Sequence, residues 1–283
     1  MIHTKEFIID GIHDRPILID VTYPEKKINA PIIIFCHGYK GFKDWGAWHF
    51  MANTFANTGY IFIKFNFSHN GGTVEQPLDF PDLEAFGNNN YTKELDDLQT
   101  VIDWAASNEE IIKIGNARNI TLIGHSRGGG IVSIKAEEDT RVKTVISLAG
   151  VCDFGKRTAT IGDIESWRLD GVKYVLNGRT KQHMPHYFQF YMDFIKNEDR
   201  LTIKRAVSNL KIPHLIIHGN NDTSVSIDEA KLLHQWNPES ELNIIDGANH
   251  VFGGQHPWQK PDLPKHLKSA IERIIDFLDQ HVY

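Results

Sequence analysis

Eight short runs rich in β-branched and aromatic residues are strung along the chain, most of them separated by helical patterns, and this alternation constrains the fold more than any other feature. "EFIID" and "PILIDVTYP", on either side of the turn "GIHDR", read as an antiparallel hairpin. "PIIIFCHG" (31–38) is apolar without alternation, as expected of a parallel strand covered on both faces. "YIFIKFNF" (60–67), "NITLIGHS" (119–126), "VKTVISLAG" (142–150), "PHLIIHGN" (213–220) and "ELNIIDGAN" (241–249) complete the set. Between them, Trp45, Trp48, Met51, Ala52 and Phe55 recur at helical spacing and stop at Gly59. "YTKELDDLQTVIDWAAS" and the closing "LKSAIERIIDFLDQ" are also amphipathic. The expected architecture is α/β: a mostly parallel eight-stranded sheet with helices on both faces. Residues 1–150 and 213–283 form its core. The 151–212 segment is helical and aromatic in character with no clear strand, and is expected to lie as a cap over the strand carboxyl ends, where such folds bind ligands.

Bulk properties narrow the function. A chain of 283 residues can bury one large core. A formal charge of −6 disfavours nucleic acid, because phosphate binding calls for a basic surface. Charged or glycine residues interrupt every apolar run before it reaches bilayer length, and the start "MIHTKEFIID" lacks a secretory pattern. No membrane role is therefore expected. The two cysteines, Cys36 and Cys152, read as buried thiols of a cytoplasmic protein rather than a disulfide. Oligomeric state is left open, and a homo-oligomer is compatible with the sequence.

One strand ends in "ITLIGHSRGGG", where Ser126 stands between Gly124 and Gly128. Gly-x-Ser-x-Gly between a strand and a helix is a nucleophile elbow: small residues two positions away permit a sharp bend that lifts the hydroxyl clear of the sheet. A serine hydroxyl needs a base to take its proton and an acid to orient that base. In chain order, "HGNNDTSVS" supplies Asp222 and "DGANHVF" supplies His250, each just after a strand. Asp153, after the preceding strand, is the alternative acid, whereas Asp246 reads as a turn residue. An oxyanion also needs donors. "FCHGYKGFKDW" offers the main-chain N–H of Tyr39, the helix start offers that of Arg127, and both side chains are expected to be free to vary. His37 reads as a brace for the loop. Trp258, Tyr174 and Tyr191 are candidate substrate contacts, although helix packing accounts for most of the aromatic residues in 151–212. Arg157, Arg168 and Arg179 are candidates to meet a substrate carboxylate, but each reads better as an ion-paired or solvated arginine. His183 and His186 have helical spacing, but Pro185 spoils a metal-binding helix, so neither metal nor cofactor is expected.

With "HGYKGFKDW", "GHSRGG", "HGNNDTSV" and "GANHVF" in place, the chain resembles the α/β-hydrolases, and within them the dienelactone-hydrolase-like and cinnamoyl-esterase-like serine hydrolases. The resemblance covers everything except the cap. It implies a small-molecule ester as substrate, with Ser126 as nucleophile, His250 as base, Asp222 as acid and oxyanion donors at Tyr39 and Arg127. Dienelactone hydrolases proper carry cysteine at the elbow, and haloalkane dehalogenases and epoxide hydrolases carry aspartate. Serine here argues against those substrates. A peptidase or acyl-peptide hydrolase, a thioesterase, an acyltransferase and a perhydrolase would share the triad. A catalytically silent binding protein on the same fold is the alternative outside enzymes.

Overall fold

In the computed structural model, which describes residues 1–26, 28–159 and 161–282, each of the eight apolar runs becomes a strand of one sheet. The strands are β1 (Ile2–Asp10), β2 (Pro16–Pro24), β3 (Ala30–Cys36), β4 (Ile61–Asn66), β5 (Gly115–His125), β6 (Val142–Leu148), β7 (Val172–Leu176), β8 (His183–Tyr187), β9 (His214–Gly219) and β10 (Glu241–Ile245). The helices are α1 (Trp48–Asn57), α2 (Leu83–Gly87), α3 (Tyr91–Ser107), α4 (Glu109–Ile114), α5 (Arg127–Glu138) and α6 (Phe154–Ala159). They continue as α7 (Ile164–Asp170), α8 (Gln189–Lys196), α9 (Glu198–Leu201), α10 (Ile203–Asn209), α11 (Ile227–Trp236) and α12 (Lys265–His281). The eight-stranded sheet runs β1-β2-β4-β3-β5-β6-β9-β10. It is parallel from β4 to β10, and the β1–β2 hairpin joins it antiparallel through β2.

Two-sided cover explains why the central runs are apolar throughout. Successive side chains of a strand face opposite ways. Ile32, Ile34 and Cys36 of β3 enter one apolar cluster with Leu95 and Leu98 of α3, Ile131 of α5 and Leu233 of α11. Ile33 and Phe35 enter the other, against Met51 and Phe55 of α1 and Ile271 and Ile274 of α12. Each such side chain contributes roughly 1.5–3 kcal/mol when fully removed from water. Cys36 and Cys152 are both buried and unpaired.

The insertion between β6 and β9 departs from the expectation of a strand-free segment. It contains the antiparallel hairpin β7–β8, registered Val172 to Tyr187 and Leu176 to His183. The hairpin is a two-stranded sheet of its own. Its strands carry no continuous apolar face: β7 alternates between half-buried and exposed, and β8 contains Pro185. That is why their hydrophobic pattern is too weak to read as strand.

Helix α5 lies on the sheet where side chains are missing. A Cβ on Gly124 would come within 2.1 Å of the Gly128 carbonyl oxygen, and one on Gly128 within 2.4 Å of the Cys36 carbonyl oxygen. Both contacts are backbone and cannot swing aside. Gly124→Ala is accordingly expected to lower unfolding free energy by about 3 kcal/mol or more in chemical denaturation. Gly178→Ala, with no neighbour within 4 Å, serves as the control and should stay within about 1 kcal/mol of the parent.

Candidate active site

Strand β5 ends in a bend that places Ser126 at φ +57° and ψ −119°, a conformation unfavourable for any residue with a Cβ. Three hydrogen bonds hold it there: Ser126 N–H donates to the Leu148 carbonyl at 2.9 Å, and the Ser126 carbonyl accepts from Gly129 N–H at 2.9 Å and Val151 N–H at 3.2 Å. Strand β6 and the start of α5 thus fix the bend from two sides.

Two loops from the carboxyl ends of β9 and β10 reach the same hydroxyl. His250 Nε2 is 3.0 Å from Ser126 Oγ, and His250 Nδ1 is 2.8 Å from Asp222 Oδ2. With Nδ1–H donating to the carboxylate, Nε2 presents its lone pair to the serine. Burial alone would push the Asp222 carboxyl up. Hydrogen bonds from His218, His250 and the Val225 N–H outweigh it and hold the group well below the usual carboxylate range. Its Oδ1 accepts from Ser224 N–H at 2.8 Å and Val225 N–H at 2.9 Å, and its Oδ2 lies 3.3 Å from His218 Nε2. His125 braces the base from behind: its Nε2–H donates to the His250 carbonyl at 2.8 Å, and its ring packs between His250 and Trp48. Burial, with His250 nearby, pushes His125 down to about 3, so it stays neutral. The alternative acid, Asp153, caps the N–H of Lys156 at 3.1 Å, and Asp246 accepts from Asn220.

The loop after β3 closes against the serine. A Cβ on Gly38 would sit 2.8 Å from the Ser126 Cβ, so only glycine lets the 38–39 backbone approach this closely. His37 braces the loop, with Nδ1–H donating to the Gly38 carbonyl at 2.9 Å and Nε2 accepting from Phe67 N–H at 3.4 Å. Further on, Lys43 donates to Asp20 at 2.8 Å and to Asp44 at 2.5 Å, and Lys64 of β4 pairs with both carboxylates. Two cations and two anions cancel there, which makes the burial of Lys43, Lys64 and Asp20 tolerable.

The side chains of Tyr39 and Arg127, expected from sequence to be free to vary, are both engaged in packing and polar contacts. The Arg127 guanidinium stacks 4.4 Å from the Tyr39 ring centroid, with Tyr91 at 5.2 Å and Phe190 at 5.5 Å. Its Nη1 pairs with Glu94 of α3 at 3.1 Å. Tyr39 O–H donates to His186 Nε2 of β8 at 2.9 Å, leaving His186 Nδ1–H to reach the Met184 carbonyl at 3.3 Å. Burial, with Arg127 nearby, pushes His186 down to about 3.

These groups open on a cavity of about 410 Å³ lined by Ser126, His250, Tyr39 and Arg127, with Val151, Phe154, Ile161 and Val175 supplying apolar wall. The three aromatic candidates do not line it. On β7 the side chains alternate, so Val175 faces the cavity while Tyr174 points outward at 59% exposure. Tyr191 packs on Phe188 and Trp167. Trp258 donates to the Asp262 carbonyl at 2.9 Å and borders a separate surface hollow with residues 260–266. Conversely, Lys40, Tyr91 and His186 line the cavity although sequence reasoning did not select them as contacts. Only Lys40, inside "HGYKG", carried a positional signal.

A profile of the alpha/beta hydrolase fold matches residues 31–204. The chain belongs to the α/β-hydrolase family. It is 32% identical over 147 residues to an uncharacterized 31.7 kDa protein of the traX–finO intergenic region of Escherichia coli, a match covering 52% of this chain and 46% of that one. The chain thus spans less than half the length of that curated relative. Among solved structures it resembles Est1E from Butyrivibrio proteoclasticus, with a TM-score of 0.72, 17% identity and 98% of each chain covered. It also resembles a dienelactone hydrolase from Anabaena variabilis, with a TM-score of 0.64, 16% identity and 99% of each chain covered. At these identities the likeness is one of fold. Among the described residues no helix is long and apolar enough to cross a membrane.

Buried histidines weaken the fold in acid, opposed over the same range by Asp97, whose carboxyl burial raises to about 7. His37 (about 4), His125, His186 and His214 (each about 3) have folded values below the unfolded value near 6.5. Between those values the unfolded chain binds more protons, so stability falls as pH falls. Each fully neutral histidine contributes up to about 1.4 kcal/mol per pH unit in that window. Denaturation midpoints should drop steeply from pH 6.5 to pH 4. His125→Gln, measured by urea denaturation over the same range, should flatten the slope; an unchanged slope would remove His125 from this account.

Proposed function

We propose that the protein is a serine hydrolase that cleaves carboxylic esters through an acyl-enzyme. The observation that carries this reading is the continuous chain Asp222–His250–Ser126, with its hydroxyl opening into a cavity walled mostly by apolar and aromatic side chains. Fold-level likeness to a dienelactone hydrolase supports it.

In the first step His250 Nε2 takes the Ser126 proton as Oγ bonds to the ester carbonyl carbon, and the carbonyl electron pair moves onto oxygen. The main-chain N–H groups of Tyr39 and Arg127 receive that oxyanion. Collapse breaks the carbon–alkoxide bond, and the proton on His250 goes to the departing alkoxide. Water then repeats the sequence: His250 removes its proton, its oxygen attacks the acyl carbon, and Oγ leaves with the proton returned from Nε2. Asp222 remains ionised throughout and steadies the imidazolium. Donors carried on a helix start and a braced loop need little reorganisation as charge develops. The 151–212 insertion, which supplies Val151, Phe154, Ile161 and Val175, acts as the cap that shapes the acyl and alcohol pockets. Two reduced, buried thiols fit a cytoplasmic protein.

Ser126→Ala is expected to lower hydrolysis of p-nitrophenyl acetate by about 10⁴-fold or more, and Asp222→Asn by a similar factor. A fluorophosphonate should label the parent at Ser126 and leave Ser126→Ala unlabelled. Folded parent protein that resists labelling would favour a binding protein on this fold.

A further inference from the structure

The cavity around Ser126 carries a charge imbalance that ester cleavage does not require. Lys40, Arg127 and Arg157 line it, and among the described residues no carboxylate does. Arg127 and Arg157 have counter-ions behind the wall, in Glu94 and Glu229. Lys40 forms no ion pair among the described residues; its ammonium lies 4.9 Å from the centroid of the Tyr39 ring, the ring on which Arg127 also stacks. Of the Arg127 nitrogens only Nη1 meets Glu94, which leaves the rest of the guanidinium edge as donors.

The backbone at Lys40 makes the imbalance harder to dismiss as chance. Lys40 sits at φ +55°, in the left-handed region that favours glycine, inside a turn closed by Gly41 N–H donating to the Gly38 carbonyl at 3.0 Å. A side chain in that conformation costs about 1–2 kcal/mol. Partial burial and the neighbouring Arg127 also push the Lys40 ammonium below its ordinary value. Two independent penalties therefore fall on one lysine, and an anion in the cavity would offset the electrostatic one.

We propose that the ester cleaved at Ser126 carries a carboxylate, or a comparable singly charged oxygen group, which Lys40 binds together with the unpaired edge of Arg127. One cation without a counter-ion fits one negative charge. Neutral aliphatic or aryl esters fill the apolar wall but leave this cation unmatched. The proposal rests on the serine-ester reading and adds the substrate class.

The test compares matched esters by pH-stat. Monoethyl adipate against ethyl hexanoate places the charge on the acyl side; 4-(acetoxymethyl)benzoate against 4-methylbenzyl acetate places it on the alcohol side. In at least one pair kcat/KM should favour the anion by about tenfold, the scale of one charge-assisted hydrogen bond. Lys40→Gln should erase most of that ratio, Lys40→Gly likewise while relieving the turn, and the remote control Lys204→Gln should keep it. Denaturation midpoints of the Lys40 variants no lower than the parent's would show that the fold persists. Equal kcat/KM within both pairs would overturn the proposal, as would a preference that survives Lys40→Gln. Fluorophosphonate labelling of Ser126 in the same preparations separates the two levels: labelled enzyme without anion preference sinks this proposal alone. Unlabelled protein silent toward every ester sinks the hydrolase reading and this one together.

Discussion

Everything at the site depends on one unfavourable bend. Ser126 adopts φ +57° and ψ −119° because main chain, not side chain, surrounds it. Gly38, Gly124 and Gly128 each stand where a Cβ would come within 2.1–2.8 Å of another residue's atoms. Their absence of side chains lets the β3 loop, β5 and α5 approach closely, and three main-chain hydrogen bonds from Leu148 of β6, Gly129 of α5 and Val151 hold the serine. The energy that the bend costs, of order 1–3 kcal/mol, is supplied by two apolar clusters on either face of the sheet. The geometry of the Ser126 bend is stored in the packing of the whole core.

A second demand is that the long loops be rigid, and apolar anchors such as Phe42 are only part of the answer. The structure completes it with charge. Lys43, Lys64, Asp20 and Asp44 clamp the loop after β3 to β2 and β4, while Glu94 fixes Arg127 from α3. Such clusters are tolerable inside a protein only when charges cancel and hydrogen bonds are made. Removing one member would leave its partner buried and unmatched, so these residues are bound together as sets.

How much of this is legible in the sequence depends on whether a residue's role is local. The central strands are legible because burial on both faces demands continuous apolar runs, and Ser126, Asp222 and His250 because each follows such a run. The β7–β8 hairpin is not, since a half-exposed pair of strands leaves no hydrophobic period, and Pro185 argues against a strand outright. The cavity wall is hidden for a related reason. Whether Tyr174 or Val175 faces the serine depends on the register and docking of the hairpin, and spacing along the chain is blind to both. Trp258 is near His250 in sequence, yet the intervening turns carry it to another surface.

The residues flanking the serine show where a motif-level reading stops short. In the function proposed above only the main-chain N–H groups of Tyr39 and Arg127 serve the oxyanion, which makes their side chains look dispensable. In the folded protein those side chains are the cross-brace. The ring of one lies on the guanidinium of the other, tying the β3 loop to the start of α5; Glu94 adds α3, and His186 adds the insertion. Four elements far apart in sequence thus meet at the two residues whose main chains converge on Ser126. A donor pair is only as well placed as the loops that carry it. The brace also links the insertion to the β3 loop, because His186 of β8 meets Tyr39 through a 2.9 Å hydrogen bond and a ring contact.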